Sequence, residues 1–330
     1  MKWSTICVFL SCVGVISASW ELDLFLNMIE CEHKRNLNLD VSGIDVYFYD
    51  FPNNIIVPFP ITSAATGILS YTRLNKNHNF FMFVDGFKSH MTKLTTIQMR
   101  NAFKNFPNSY LIIIDHSIYT NRIGLKVSFE ESVKYVYDIG KAVAQLLVNL
   151  HQGGISPKNV HCIGHSLGSQ MLAHVGEIFH NATGEKISRI TALDPAGPCF
   201  ANSPDEDQIR SGVAEYVEVY HCNAGEFGTS SILGDIDFFV NNGVSQPKCT
   251  VSWLPPLLNT LLEPRCSHRA CVAMWTASIA HGGQTAYKCD NFYDFRDGIC
   301  AQNETTLGGF WNPGNATGVY YFASEDYEYS

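Results

Sequence analysis

A five-residue stretch in the middle of the chain, Gly-His-Ser-Leu-Gly at 164–168, has residue types and spacing suited to nucleophilic chemistry. It follows a short apolar run at 160–163 that predicts a strand and precedes a run at 169–175 that predicts a helix. A serine on so sharp a strand-to-helix turn projects its hydroxyl out of the sheet, close to a helix N-terminus that favours developing negative charge. G-x-S-x-G also occurs by chance around turn serines, but the flanking strand and helix favour Ser166 as a nucleophile.

A serine hydroxyl is a poor nucleophile until a base takes its proton, and the base needs a carboxylate to hold its tautomer. Asp194 follows the apolar run 190–193 and is the candidate acid, although an Asp-Pro pair also suits a simple turn. Three histidines come after it, at positions 221, 268 and 281. His268 is the candidate base because cysteines at 266 and 271 hold its segment in place.

An oxyanion formed at the attacked carbonyl would need two backbone N–H donors. One is expected from Leu167, directly after the nucleophile, and the other from Phe87, in a turn where Gly86 lets the backbone come close. The histidines show no metal-ligand spacing such as H-E-x-x-H, so we expect neither a metal nor a cofactor.

The elements that must position these residues alternate between buried strands and helices. Strands are predicted at 45–49, 80–84, 110–114, 160–163, 187–193 and 216–220, and helices at 92–105, 130–150 and 169–175. This alternation predicts a mostly parallel sheet covered by helices on both faces. Asp85, Asp115, Ser166 and Asp194 then follow strand ends, where the chemistry of such sheets gathers.

Residues 1–19 have the features of a secretory signal peptide: a positive Lys2, an apolar stretch at 6–16 and small residues at 17–19. Residues 20–330 are expected to form one secreted, extracellular domain. Without Lys2 the chain has 21 basic and 31 acidic residues. An acidic balance argues against nucleic acid as a partner, because phosphates require a basic surface.

Nine cysteines follow the predicted leader, which suggests up to four disulfides and one free thiol. Cys162, on a predicted central strand, is the candidate for the unpaired and buried cysteine. Three N-glycosylation sequons begin at Asn181, Asn303 and Asn315.

Taken together, these motifs resemble the animal pancreatic-lipase-like family, which includes insect neutral lipases and A1-type phospholipases. The resemblance runs from about residue 78 to 322, and it is carried by the segments 84–89, 164–168, 193–198, 237–243, 246–249 and 266–270. It implies an α/β-hydrolase fold, and it strengthens Asp194 and His268 as the partners of Ser166.

The resemblance also implies two disulfides, Cys249–Cys266 and Cys289–Cys300, the first closing a lid. Cys31, Cys199, Cys222 and Cys271 keep three possible pairings. The lid segment has no charged residue before Glu263. Its apolar residues could therefore contact a lipid–water interface. The alternative is a loop that stays packed over the core. The candidate contact residues are Trp253, Leu254, Leu257 and Leu258.

Two features depart from the family pattern. The family usually has His-Gly-Phe in the oxyanion turn, and here Asp85 replaces the histidine. A carboxylate aimed at the oxyanion would oppose the charge that catalysis must stabilise. The chain also stops where the pancreatic enzymes add a β-sandwich domain, so we expect no C-terminal β-sandwich and no colipase-type partner; oligomeric state stays open.

The favoured prediction is a secreted serine esterase that hydrolyses acyl esters of lipids, as an acylglycerol lipase or a phospholipase A1. A catalytically silent lipid-binding or yolk-type storage homologue is the alternative, and Asp85 is the local feature in its favour. A protease is less favoured, because nothing suggests a peptide groove and the apolar lid points to lipid.

Overall fold

A central sheet of eleven strands organises the computed structural model, which describes residues 31, 33, 35, 37–121, 128–249 and 256–324. The strands are β1 Asp45–Asp50, β2 Ile55–Pro60, β3 Asn79–Val84, β4 Ser109–Asp115, β5 Val160–His165, β6 Arg189–Leu193, β7 Val217–His221, β8 Ile236–Val240, β9 Gln284–Lys288, β10 Thr305–Gly308 and β11 Gly318–Phe322.

The strand order is β10-β9-β11-β8-β7-β6-β5-β3-β4-β1-β2. The seven central strands of this order, β11-β8-β7-β6-β5-β3-β4, all pair in parallel. The antiparallel pairs lie at the two edges: β1 pairs with β2 and β4, and β9 pairs with β10 and β11. The prediction of a mostly parallel sheet is therefore confirmed, and the protein has the α/β-hydrolase fold. The described residues from 284 onward add their strands to the edge of this same sheet.

Helices cover both faces of the sheet. They are α1 Ile61–Leu69, α2 Leu94–Phe103, α3 Ser117–Thr120, α4 Phe129–Val133, α5 Val136–Gln152, α6 Leu167–Thr183, α7 Pro256–His281 and α8 Phe292–Arg296. Helices α1, α5 and α6 pack on one face, and α2 and α7 pack on the other.

Strand β3 shows why its sequence is continuously apolar. Phe80, Met82 and Val84 join the core under α1, α5 and α6, whereas Phe81 and Phe83 join the core under α2 and α7. Because side chains alternate between the faces of a strand, a strand buried on both faces needs apolar residues at every position.

The predicted helix at 130–150 is wrong in one respect, because the chain forms two helices, α4 and α5. The Tyr135 N–H donates to the Ser132 carbonyl at 3.1 Å, which closes a tight turn and interrupts the regular helical ladder. Strands β2 and β8 to β11, and helices α1, α3, α7 and α8, have no counterpart among the predicted elements.

Four disulfides join the described cysteines: Cys31–Cys199, Cys222–Cys271, Cys249–Cys266 and Cys289–Cys300. The last two are the pairs that the family resemblance implies, and the first two settle the pairing left open. Cys162 is the free cysteine among the described residues, and it is buried as expected. The predicted leader at 1–19 lies outside the described residues. None of the helices in the described ranges combines the length and the hydropathy of a membrane span.

Candidate active site

Ser166 occupies a sharp turn between β5 and α6. Its φ of 55° and ψ of −122° place a non-glycine residue in a strained region of backbone conformation, which persists where surrounding structure enforces it. Both motif glycines are required by close packing: a Cβ on Gly164 would lie 2.6 Å from the Ser169 Cα, and one on Gly168 would lie 2.0 Å from the Val84 carbonyl oxygen. The packing that crowds this turn therefore fixes where the Ser166 side chain is presented.

The carboxylate of Asp194 follows β6 and is fully buried. Its Oδ1 accepts the backbone N–H groups of Cys222 and Asn223 at 2.8 and 2.9 Å. Its Oδ2 lies 2.6 Å from Nδ1 of His268. Because the two backbone donors bind Oδ1 and fix the orientation of the carboxylate, Oδ2 is positioned to accept from the imidazole.

His268 lies within helix α7 and is the partner that the sequence predicted for Asp194. An ionised carboxylate can only accept a hydrogen bond, so Nδ1 of His268 must carry the proton that it donates to Asp194. In the neutral ring this leaves Nε2 as the basic nitrogen. Burial lowers the pKa of His268 below its ordinary value of 6.5, and the hydrogen bond to Asp194 opposes that shift. The lowered pKa favours the neutral form of the ring at neutral pH.

Backbone and disulfide contacts bring the three candidate residues to one place. The Ser166 N–H donates to the carbonyl of Leu193, the residue before Asp194, at 3.0 Å. The Cys222–Cys271 disulfide joins the segment that holds Asp194 to the helix that carries His268. The Ser166 hydroxyl makes no hydrogen bond to His268 among the described residues; such catalytic contacts often tighten only when substrate binds.

The turn after β3 packs directly against the serine. A Cβ on Gly86 would lie 2.7 Å from the Ser166 Cβ and 3.1 Å from its Oγ, so only glycine allows this approach. Within the described part of the chain, the N–H groups of Phe87 and Leu167 donate to no other group. Lys93 Nζ donates to the Phe87 carbonyl at 3.0 Å, which helps to hold the turn in place.

Asp85, the residue that departs from the family pattern, is buried, and both of its carboxylate oxygens accept hydrogen bonds. Its Oδ1 accepts from His165 Nδ1 at 2.8 Å and from the Gly86 N–H at 2.7 Å. Its Oδ2 accepts from the hydroxyls of Thr95 and Thr96 at 2.6 and 3.1 Å.

Burial alone would raise the pKa of Asp85. The positive charge of Lys93, contacts with His165 and the Thr95 hydroxyl outweigh burial and lower that pKa well below its ordinary value. Four hydrogen-bond donors therefore surround this carboxylate and occupy both of its oxygens.

The structure also places the other predicted site residues. Leu257 and Leu258 lie within helix α7, so that part of the expected lid loop is helical, and Trp253 and Leu254 lie outside the described residues. The sequon asparagines Asn181, Asn303 and Asn315 are exposed. The described residues hold no group of three or more potential metal ligands.

Sequence reasoning missed the groups that support the site. The backbone donors of Cys222 and Asn223 carry no side-chain signal, so no pattern could have found them. His165 stands inside the G-x-S-x-G motif next to the nucleophile, but the motif indicates neither its burial nor its contact with Asp85.

The sheet topology and the chain order of serine, aspartate and histidine define a protein of the α/β-hydrolase class. The chain belongs to the lipase family: the family model described as Lipase matches residues 18–309.

Similar proteins include Lipase member H of Rattus norvegicus, 36% identical over 44% of this chain and 31% of the relative. Pancreatic lipase-related protein 2 of Homo sapiens is 26% identical over 74% of this chain and 58% of the relative. The probable phospholipase A1 magnifin of Vespa magnifica is 30% identical over 65% of this chain and 62% of the relative. The matches thus span from under a third to about three fifths of the length of these relatives.

Proposed function

We propose that this protein is a secreted serine esterase that hydrolyses the acyl esters of acylglycerols or phospholipids. The observation that carries the proposal is the 2.6 Å contact between buried Asp194 and His268, next to the strained turn of Ser166, in a chain of the lipase family. Relatives named as a pancreatic lipase-related protein and as a phospholipase A1 support acylglycerols and phospholipids as the substrate classes.

In the acylation half of the reaction, the Ser166 oxygen attacks the ester carbonyl carbon while its proton moves to Nε2 of His268. The carbonyl oxygen becomes negative and is held by the free N–H groups of Phe87 and Leu167. His268 then gives its proton to the alkoxide of the leaving alcohol as the carbon–oxygen bond breaks, which leaves an acyl-enzyme.

In the deacylation half, a water molecule attacks the acyl carbonyl and passes a proton to His268. The tetrahedral intermediate collapses, the bond to Ser166 breaks, and His268 returns the proton to the serine oxygen as the fatty acid leaves. Asp194 remains ionised throughout, because its role is to orient His268 and stabilise the imidazolium. The cycle needs no metal or cofactor.

Three further parts of the proposal concern the setting of the site. Residues 1–19 direct secretion, and four disulfides support an oxidising compartment. The segment 249–266 is proposed to act as a disulfide-closed lid of a single domain at 20–330, and Trp253, Leu254, Leu257 and Leu258 remain its candidate lipid-contact residues. Sequons at Asn181, Asn303 and Asn315 carry glycans, for which their exposure is suitable.

A catalytically silent lipid-binding homologue is the competing proposal, and Asp85 was the feature in its favour. Four hydrogen-bond donors already occupy this carboxylate, which weakens the electrostatic argument against catalysis. We therefore favour the enzyme.

A fluorophosphonate probe tests the proposal directly. The purified secreted protein is treated with the probe, and the modified peptide is identified by mass spectrometry. We expect labelling at Ser166, none in Ser166→Ala, and strongly slowed labelling in His268→Ala. A folded parent protein that stays unlabelled would favour the silent homologue, and a labelled one would go on to a panel of acylglycerols and phospholipids.

A further inference from the structure

His165, the residue before the candidate nucleophile, is buried between two hydrogen-bond acceptors. Its Nδ1 lies 2.8 Å from Asp85 Oδ1, and its Nε2 lies 3.2 Å from the backbone carbonyl oxygen of His268. Neither a carboxylate nor a carbonyl can donate, and a neutral imidazole has only one N–H. Both contacts are satisfied only if His165 is an imidazolium, which Asp85 then balances as a buried ion pair.

The same pair links three parts of the site. Asp85 directly follows β3 and leads into the Phe87 turn, and hydrogen bonds from Thr95 and Thr96 join it to helix α2. His165 precedes the serine and contacts the backbone of the helix that carries the base. One buried pair is therefore in contact with the oxyanion turn, with the residue before the nucleophile and with the helix of the base.

We propose that Asp85 and His165 form a second, positioning acid–base pair that holds the oxyanion turn, Ser166 and His268 in register and places a cation beside His268. This inference deepens the proposed function and depends on it for its kinetic part. In this view the aspartate that replaces the family's usual histidine is the counterion that allows His165 to stay charged.

The cation has a consequence for the base. The His165 and His268 rings have centroids 4.7 Å apart, and a like charge at this distance disfavours protonation of His268. The positive charges of His165 and Lys93 act with burial to lower the pKa of His268. Among the described residues, the charged or titratable groups around the two rings are Asp85, Lys93, His116 and Asp194.

The test uses the full-length secreted protein and three variants: Asp85→Asn, His165→Gln and the double variant. Each removes the cation, so the acid limb of kcat/KM for a soluble short-chain ester should move to higher pH by about one unit. We expect kcat to fall by about ten- to a hundredfold with little change in KM, as for a misplaced catalytic group. The double variant should lose no more kcat than either single variant. Both side chains are neutral in it, so no buried charge is left without a partner.

Glu218→Gln is the matched control. It also removes a fully buried carboxylate with several donors, but near the amino ends of β6 and β7, away from Ser166. We expect it to lower the thermal midpoint and leave the acid limb where it is in the parent. An acid limb unmoved in Asp85→Asn, or moved equally in Glu218→Gln, would overturn the proposal.

Ring-nitrogen NMR with isotope-labelled histidine separates this inference from the proposed function, since it needs no activity. His165 should carry protons on both nitrogens in the parent and on one in Asp85→Asn, with its signals assigned by their loss in His165→Gln. A singly protonated His165 in the parent would refute the pair. A doubly protonated His165 in a protein that no fluorophosphonate labels would uphold the pair and refute the esterase.

Discussion

The substitution Asp194→Asn tests the candidate site most sharply, because the structure dictates how the new amide must sit. Two backbone N–H groups donate to Oδ1, so the amide oxygen has to occupy that position. The amide NH2 then takes the place of Oδ2 and points at His268 Nδ1. An NH2 donor forces Nδ1 to become an acceptor, which moves the ring proton to Nε2 and removes the base that Ser166 needs.

The expected cost is that of a triad with the wrong histidine tautomer, about ten-thousandfold in kcat, or about 5 kcal/mol of transition-state stabilisation. Stability should change little, because the amide oxygen keeps both backbone hydrogen bonds. The assay is kcat/KM on a soluble short-chain ester, which avoids any dependence on a lipid surface, together with the rate of fluorophosphonate labelling and the thermal midpoint.

Asp237→Asn provides the matched control. Asp237 is equally buried and accepts from His221 Nε2 at 2.8 Å and from the backbone of Leu233 and Gly234 at 3.1 and 2.9 Å. Its backbone donors fall on both oxygens, so an amide leaves one of them unmatched and should lower the thermal midpoint more than Asp194→Asn does. Its activity should stay near that of the parent; an Asp194→Asn protein that does the same would refute the tautomer argument.

Three further outcomes are expected. Because burial lowers the pKa of His268 and only the neutral ring is a base, the acid limb of kcat/KM should have its midpoint below pH 6.5. Gly86→Ala places a Cβ 2.7 Å from that of Ser166, so kcat should fall by about a hundred- to a thousandfold with the fold retained by circular dichroism. Digestion with an N-glycosidase should lower the mass of the secreted protein and leave aspartate at positions 181, 303 and 315 in place of Asn181, Asn303 and Asn315, which mass spectrometry of the peptides detects.

The central strands were predictable because burial on both faces leaves a continuous apolar run, as in β3 and β4. The sheet edges were not: β2 contains two prolines and alternates between half-buried and exposed residues, and no apolar run marks it. Helix α7 was also missed, because the disulfide-closed segment around Pro264 reads locally as a loop. The helix packs against α2 in a shared core, and no local pattern reveals that contact.

For the site, local motifs identified side chains but not their partners. Ser166 stands in a five-residue pattern, and the contact between Asp194 and His268 could be anticipated from chain order and family resemblance. The two donors that fix Asp194 come from 28 and 29 residues away along the chain, and they are backbone groups. Such contacts follow from the register of β6 and β7, which a single sequence does not specify.

Asp85 shows how a residue can change meaning between sequence and structure. By position alone, a carboxylate in the oxyanion turn opposes catalysis, because it adds negative charge where negative charge must be stabilised. In the fold, His165 lies 80 residues further along the chain, and its Nδ1 is 2.8 Å from this carboxylate. In the proposed pair, Asp85 and His165 carry opposite charges, and the positive His165 lies on the side of His268. The aspartate that favoured a catalytically silent protein by position then favours a well-ordered active site.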